Sequence, residues 1–248
     1  MSLLGRLGFH PLLEDWFIRR FGEPTEVQKE AWKAIMAGRH TLIAAPTGSG
    51  KTLAALLPCL NRILTDKERE SSPDAPGVKL LYITPLKALN NDIHHHAAAY
   101  VQELEACAAA AGLPWAGLTV GVRTGDTKPS VRAAMLRKPP DVLVTTPESF
   151  YLLLTSAKGR ATLRTVTQVI VDEIHDLAAD RRGTHLSVTL ERLTAWTGGS
   201  PSASAYRRPR IRFKRWPAIW AAMSTKRTNR RRGRSRLSRA GWRSGSAP

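Results

Sequence analysis

The sequence predicts an α/β protein built on a parallel sheet with helices on both faces, and three observations lead there. Up to about Thr197 short apolar runs alternate with helix-like segments, the pattern of consecutive βα units. The runs are continuous rather than alternating apolar and polar, as expected for strands covered on both faces. One of them ends in a glycine-rich loop that opens directly into a helix.

In chain order, the expected strands are His40–Ala45, Val78–Thr84, Leu118–Arg123, Asp141–Thr146 and Gln168–Val171. Helices are expected over Thr25–Ala37, Lys51–Leu64, Leu86–Ala111 and Leu186–Leu193. Pro58 should kink the second of these or end it early, because it lacks the N–H that the helix ladder needs. Asp66–Gly77 is charged and rich in Pro and Ser, so it reads as a surface loop. There is no internal repeat.

The 248 residues carry a formal net charge of +18, but the charge is unevenly placed. From Gly198 onward there are fifteen Lys or Arg and no acid, whereas residues 1–197 hold 23 basic and 20 acidic side chains, a net of +3. The basicity therefore belongs to the tail and says nothing about the folded part. Cys59 and Cys107 have no metal-ligand spacing and read as reduced thiols. With no apolar stretch of eighteen residues and no secretory cleavage site near the start, a cytoplasmic protein with no membrane association is expected. The run His94-His95-His96 is a poor metal site, since adjacent helical positions point in different directions.

The strongest local signal is Ala45-Pro46-Thr47-Gly48-Ser49-Gly50-Lys51-Thr52, after the apolar run HTLIAA and before LAALL. Gly48 and Gly50 let the backbone curl so that N–H groups of the loop, Thr47 and Ser49 included, converge on phosphate oxygens at a helix N-terminus. Lys51 supplies a point charge for β and γ phosphates, and the Thr52 hydroxyl can ligate Mg²⁺. Such a loop needs a carboxylate partner. Val169-Ile170-Val171 leads into Asp172 and Glu173, at the sheet edge where open parallel sheets bind ligands. Asp172 suits the metal through its water shell, and Glu173 suits the attacking water as its base.

With these residues in place, the chain resembles the DEAD/DEAH-type superfamily 2 helicases. APTGSGKT (45–52) and DEIH (172–175) are similar to their motifs I and II, and Ala45 is common at that first position. Phe21 to Gln28 (FGEPTEVQ) resembles the adenine-sensing Q motif, which implies a contact of Phe21 and of the Gln28 amide with the base. Thr84-Pro85-Leu86-Lys87-Ala88-Leu89 resembles motif Ia. Arg123-Thr124-Gly125-Asp126-Thr127 and Thr145-Thr146-Pro147-Glu148-Ser149 resemble further motifs that grip a nucleic-acid strand. Thr84, Pro85, Lys87, Arg123, Thr124, Gly125, Thr146 and Pro147 are thus candidate nucleic-acid contacts. Backbone N–H groups, hydroxyls and single cations suit phosphates without reading bases, as a motor requires.

DEIH, RTGDT (123–127) and RGTHL (182–186) bring the resemblance nearer to the large helicase-related (Lhr) proteins. It covers roughly residues 5–197 and implies a RecA-like ATP-binding domain with catalytic Lys51, Asp172 and Glu173. It further implies ATP and Mg²⁺ as cofactors and an ATP-driven helicase acting on nucleic acid, DNA favoured. His175 would link motif II to a motif III.

Residues 198–248 form a basic low-complexity tail, expected to be disordered over its last thirty residues or to be out of frame. Motif III, a Ser-Ala-Thr, is missing from the written sequence. Reading the third base of each codon with the first two of the next, Ser202–Trp220 can become QRIGLSATQNPIQAVARYL; Tyr206 to Pro209 then give TCG-GCG-ACC, which is Ser-Ala-Thr. A frameshift near residues 198–201 is therefore expected to have replaced the rest of a longer helicase, including a second RecA-like domain. The competing reading is a non-catalytic nucleic-acid-binding protein with a native basic arm.

Overall fold

The computed structural model describes residues 2–46, 48–69, 76–178 and 181–198. Thr47, the tail expected to be disordered and the expected frameshift junction lie outside the described residues.

The N-terminal helices α1 (Leu3–Arg6), α2 (Pro11–Phe21) and α3 (Glu26–Met36) form a small aromatic layer. Their starts are written in the sequence: His10 caps α2 with Pro11 in its first turn, and Thr25 with Gln28 makes a capping box on α3. Trp32 and Phe17 are fully buried and meet edge to face with centroids 5.2 Å apart. Then follow α4 (Lys51–Arg69), β1 (Leu80–Ile83), α5 (Lys87–Ala110), β2 (Val120–Arg123), α6 (Pro129–Arg137), β3 (Val142–Thr145), α7 (Pro147–Thr155), α8 (Ala157–Leu163), β4 (Gln168–Val171), α9 (Ile174–Ala178) and α10 (Arg181–Thr197).

The four strands are all parallel, in the order β2-β3-β1-β4. Leu80 and Val142 pack with α4 and α5 on one face; Leu81, Ile83 and Leu143 pack with α7, α8 and α10 on the other. This period of two, with apolar residues on both sides, is why β1 and β3 are fully buried runs. The helix after β1 covers one face and those after β3 and β4 cover the other, so crevices open beside the C-terminal end of β1.

Three expectations need correction. His40–Ala45 forms no strand among the described residues, and Leu42 is 45% exposed. A strand forms only when its N–H and C=O groups join a ladder, which local apolarity alone does not ensure. Correspondingly β4 closes the sheet as an edge strand, only half-buried along its length. Second, α4 neither ends at Pro58 nor gives way to a loop at Asp66. Its buried face, from Leu53 through Leu64, continues across the proline, and apolar burial outweighs the one missing bond. Third, α10 begins at Arg181, before Leu186, and the expected set lacks helices α1, α2 and α6 to α9.

The last turn of α4 is held by Lys67. Its Nζ lies 2.9 Å from Asp141 and donates to the Gly117 carbonyl, while Asp141 also accepts from the N–H and hydroxyl of Thr119. This nearly buried pair ties α4 to the starts of β2 and β3. Replacing Lys67 with Ala leaves a desolvated carboxylate unpaired and should cost about 3 kcal/mol in urea unfolding; a loss below about 0.5 kcal/mol would contradict a structural role for the pair.

Candidate nucleotide site and strand-gripping edge

Register fixes the site. Ile83 pairs with both Thr145 and Val171, and Arg123 pairs with Thr145, so all four strands end level. The residues immediately beyond them, Thr84, Thr124, Thr146 and Asp172, stand in one row along the C-terminal edge. Backbone bonds extend the row: Thr84 N–H donates to Thr145 and Asp172 N–H donates to Ile83.

The glycine-rich loop meets this row through the start of α4. Gly48 and Gly50 both have φ of 81°, the left-handed region that favours glycine. The loop is braced from outside: the Thr25 hydroxyl donates to the Ser49 carbonyl and the Gln28 amide donates to the Gly50 carbonyl at 3.5 Å. Ser49 Oγ and Lys51 Nζ in turn donate to the Pro46 carbonyl, and Lys51 Nζ donates to Ala45 at 2.6 Å. Lys51 is therefore folded back on its own loop, and engaging a phosphate exchanges these contacts for stronger charge-assisted ones.

The decisive contact lies beneath. Tyr82, on β1 and 1% exposed, donates its hydroxyl proton to Asp172 Oδ2 at 2.5 Å, with the Thr52 side chain nearby. The loop helix and the acid strand thus both approach this phenol. Sequence reasoning missed Tyr82; the available signal was a lone hydroxyl in the apolar run LLYI, on the strand face opposite Leu81 and Ile83. Burial first, then the Asp172 charge, pushes the Tyr82 pKa far up, so it stays a donor. Asp172 Oδ1 accepts from Glu173 N–H at 2.8 Å, and Glu173 has a φ of 45°. Strain of this kind in a non-glycine residue gathers at functional sites. The side chain of His175 lies outside the described residues.

Two of the nucleotide-binding candidates also make contacts within the fold. Gln28 is 5% exposed and its amide is already engaged, with Oε1 accepting from Thr25 and Nε2 donating to Gly50. It braces the loop. Phe21 is 41% exposed but stands against Trp16, Phe17 and Tyr100.

Among the strand-gripping candidates, Thr84, Pro85, Thr124, Thr146 and Pro147 are buried. Thr146 caps α7, and the Thr124 hydroxyl accepts from Asp126 within its turn. Solvent reaches Lys87, Gly125 and, in part, Arg123. Lys87 is 2.8 Å from Asp126. Burial, and then the neighbouring Arg132 charge, lower the Arg123 pKa, and one of its terminal nitrogens is buried with no partner. An unsatisfied guanidinium beside a second cation suits an anion. Arg182 joins the two flanking loops, donating to Glu148 at 2.7 Å and to the Pro85 carbonyl at 3.0 Å.

The profile of the DEAD/DEAH box helicase family matches residues 25–208. The chain belongs to that family. It is 50% identical over 190 residues to the Lhr helicase/probable uracil glycosylase of Mycolicibacterium smegmatis, covering 77% of this chain and 12% of that protein. It is 45% identical over 192 residues to the ATP-dependent helicase Lhr-Core of Methanothermobacter thermautotrophicus, covering 76% of this chain and 22% of the relative. The solved structure of Mycobacterium smegmatis helicase Lhr bound to ssDNA and AMP-PNP superposes with a TM-score of 0.71 at 47% identity, covering 79% of this chain and 24% of that one. The helicase-family chain thus spans under a quarter of the length of these relatives.

The brace between Gln28 and Gly50 can be tested within the family fold. A Cβ added at Gly50 would lie 2.6 Å from Gln28 Nε2, on a backbone already at positive φ. Gly50→Ala should cost about 2 kcal/mol in denaturant unfolding, and adding Gln28→Ala should recover part of it, since the clash goes but the φ strain stays. Full additivity of the two losses would contradict the contact.

Proposed function

We propose that residues 1–197 are the ATP-binding domain of an Lhr-type, ATP-dependent DNA helicase, and that residues 198–248 are an out-of-frame tail. The observation that carries the nucleotide site is the Asp172 carboxylate, held at the sheet edge by the Tyr82 hydroxyl with Thr52 of the loop helix nearby. A hydroxyl and a carboxylate are hard oxygen donors that suit Mg²⁺; bound there, the ion would neutralise charge on the phosphates. Lys51 would hold the β and γ phosphates, with the N–H groups of Gly48 to Thr52 available to them. Asp172 would hold the metal through its water shell, and Glu173 would take the proton of the attacking water. Support for DNA comes from the single-stranded DNA held by the Mycobacterium smegmatis relative. In this chain Lys87, Arg123 and the backbone of Gly125 are the groups placed to hold phosphates without reading bases. The two cysteines are free, and no described helix is long and apolar enough to cross a membrane, which accords with a cytoplasmic enzyme.

Support for the frameshift comes from the sequence, where the shifted reading of Ser202–Trp220 can yield the missing Ser-Ala-Thr. A motor of this kind also needs an arginine positioned on a second domain, and the tail arginines occupy no recognisable motif. The basic tail favours one alternative, a salt-sensitive nucleic-acid binder indifferent to ATP.

The 248-residue chain should bind ATP with Mg²⁺ yet unwind no duplex, whereas a frame-corrected full-length chain should hydrolyse ATP with DNA stimulation and unwind. In the latter, Glu173→Gln should keep nucleotide binding and lower turnover by at least about 10²-fold. Unwinding by the short chain, or turnover surviving in the variant, would contradict the proposal; DNA binding by the short chain that collapses with salt and ignores ATP would favour the alternative.

A further inference from the structure

Tyr82 is the buried hydroxyl of an otherwise apolar strand, and a phenol so placed costs stability unless its oxygen is fully engaged. Its proton is committed to Asp172. Asp172 is fixed at both oxygens, Oδ2 by Tyr82 and Oδ1 by the Glu173 N–H at 2.8 Å, so its plane cannot rotate. The strand face that carries Tyr82 is the one covered by α4 and α5, which places the phenol between the phosphate-loop helix and the acid strand.

We propose that Tyr82 is a positioning residue, whose hydroxyl presents Asp172 with the orientation that a bound divalent cation requires. This rests on the nucleotide site proposed above, and it adds a residue outside both the glycine-rich loop and the acid pair. Tyr82 acts through Asp172.

Binding of a fluorescent ATP analogue to the 248-residue protein, with and without Mg²⁺, tests it. In the unaltered protein Mg²⁺ should tighten binding. Tyr82→Phe should leave the Mg²⁺-free affinity within about twofold and cut the Mg²⁺-dependent gain about tenfold, the effect of one hydrogen bond to a charged group. Asp172→Asn should remove the same gain, and the double variant should lose no more than Asp172→Asn alone. An unchanged gain in Tyr82→Phe would overturn the proposal, and so would a parallel fall of both affinities, the signature of a residue that only packs. Should the variant not fold, the unaltered protein still decides: with tyrosine labelled at Cζ, the Tyr82 resonance should shift when Mg²⁺ joins bound nucleotide, and a fixed resonance would overturn it. An unaltered protein with no Mg²⁺ gain at all would instead remove the nucleotide-site reading beneath.

Discussion

Parallel pairing in register is the constraint on which the rest of the molecule depends. Because Ile83, Thr145, Val171 and Arg123 lie level, every strand delivers its next residue to the same edge, and no loop has to reach for the site. The edge is reached by the loop helix from one face and by the acid strand from within the sheet. Tyr82, on β1, holds the carboxylate of the acid strand. A slip of one residue in β1 would turn Tyr82 to the opposite face and replace it with an aliphatic side chain. The chemistry of the site and the order of the sheet are therefore the same fact seen at two scales.

The edge also separates what holds the fold from what can meet a ligand. Thr84, Thr124 and Thr146 occupy the ligand row, yet their side chains are buried, and those of Thr124 and Thr146 are spent on a turn and a helix cap. What remains outward is a lysine, an arginine and backbone. That division suits a surface that holds phosphates and ignores sequence. Arg182, four residues beyond the end of α9, clasps the Glu148 and Pro85 loops, so the segment that follows the acid pair also sets the spacing of the strand-gripping loops.

Much of this was legible in the sequence, for identifiable reasons. The parallel strands at 78–84, 118–123, 141–146 and 168–171 announced themselves because burial on both faces writes continuous apolar runs, although the ladders are shorter than the runs. The glycines at 48 and 50 marked positive φ, and DEIH marked the end of β4. The failures have a common cause, dependence on distant partners. His40–Ala45 has a strand's composition but joins no ladder among the described residues, and Pro58 carries a breaker's penalty that a long buried face overrides. Tyr82 could not be found by motif, since its role comes from strand register and not from spacing along the chain.

The central claim is that the loop at Thr52 and the carboxylate at Asp172 share one cation. Paramagnetic broadening by Mn²⁺ added with ATP to isotope-labelled protein tests it most directly. Amide signals of Gly50–Leu53 and of Val171–Glu173 should broaden together at the same Mn²⁺ concentration, with β2 unaffected. Broadening of only one of the two segments, or of neither, would contradict it.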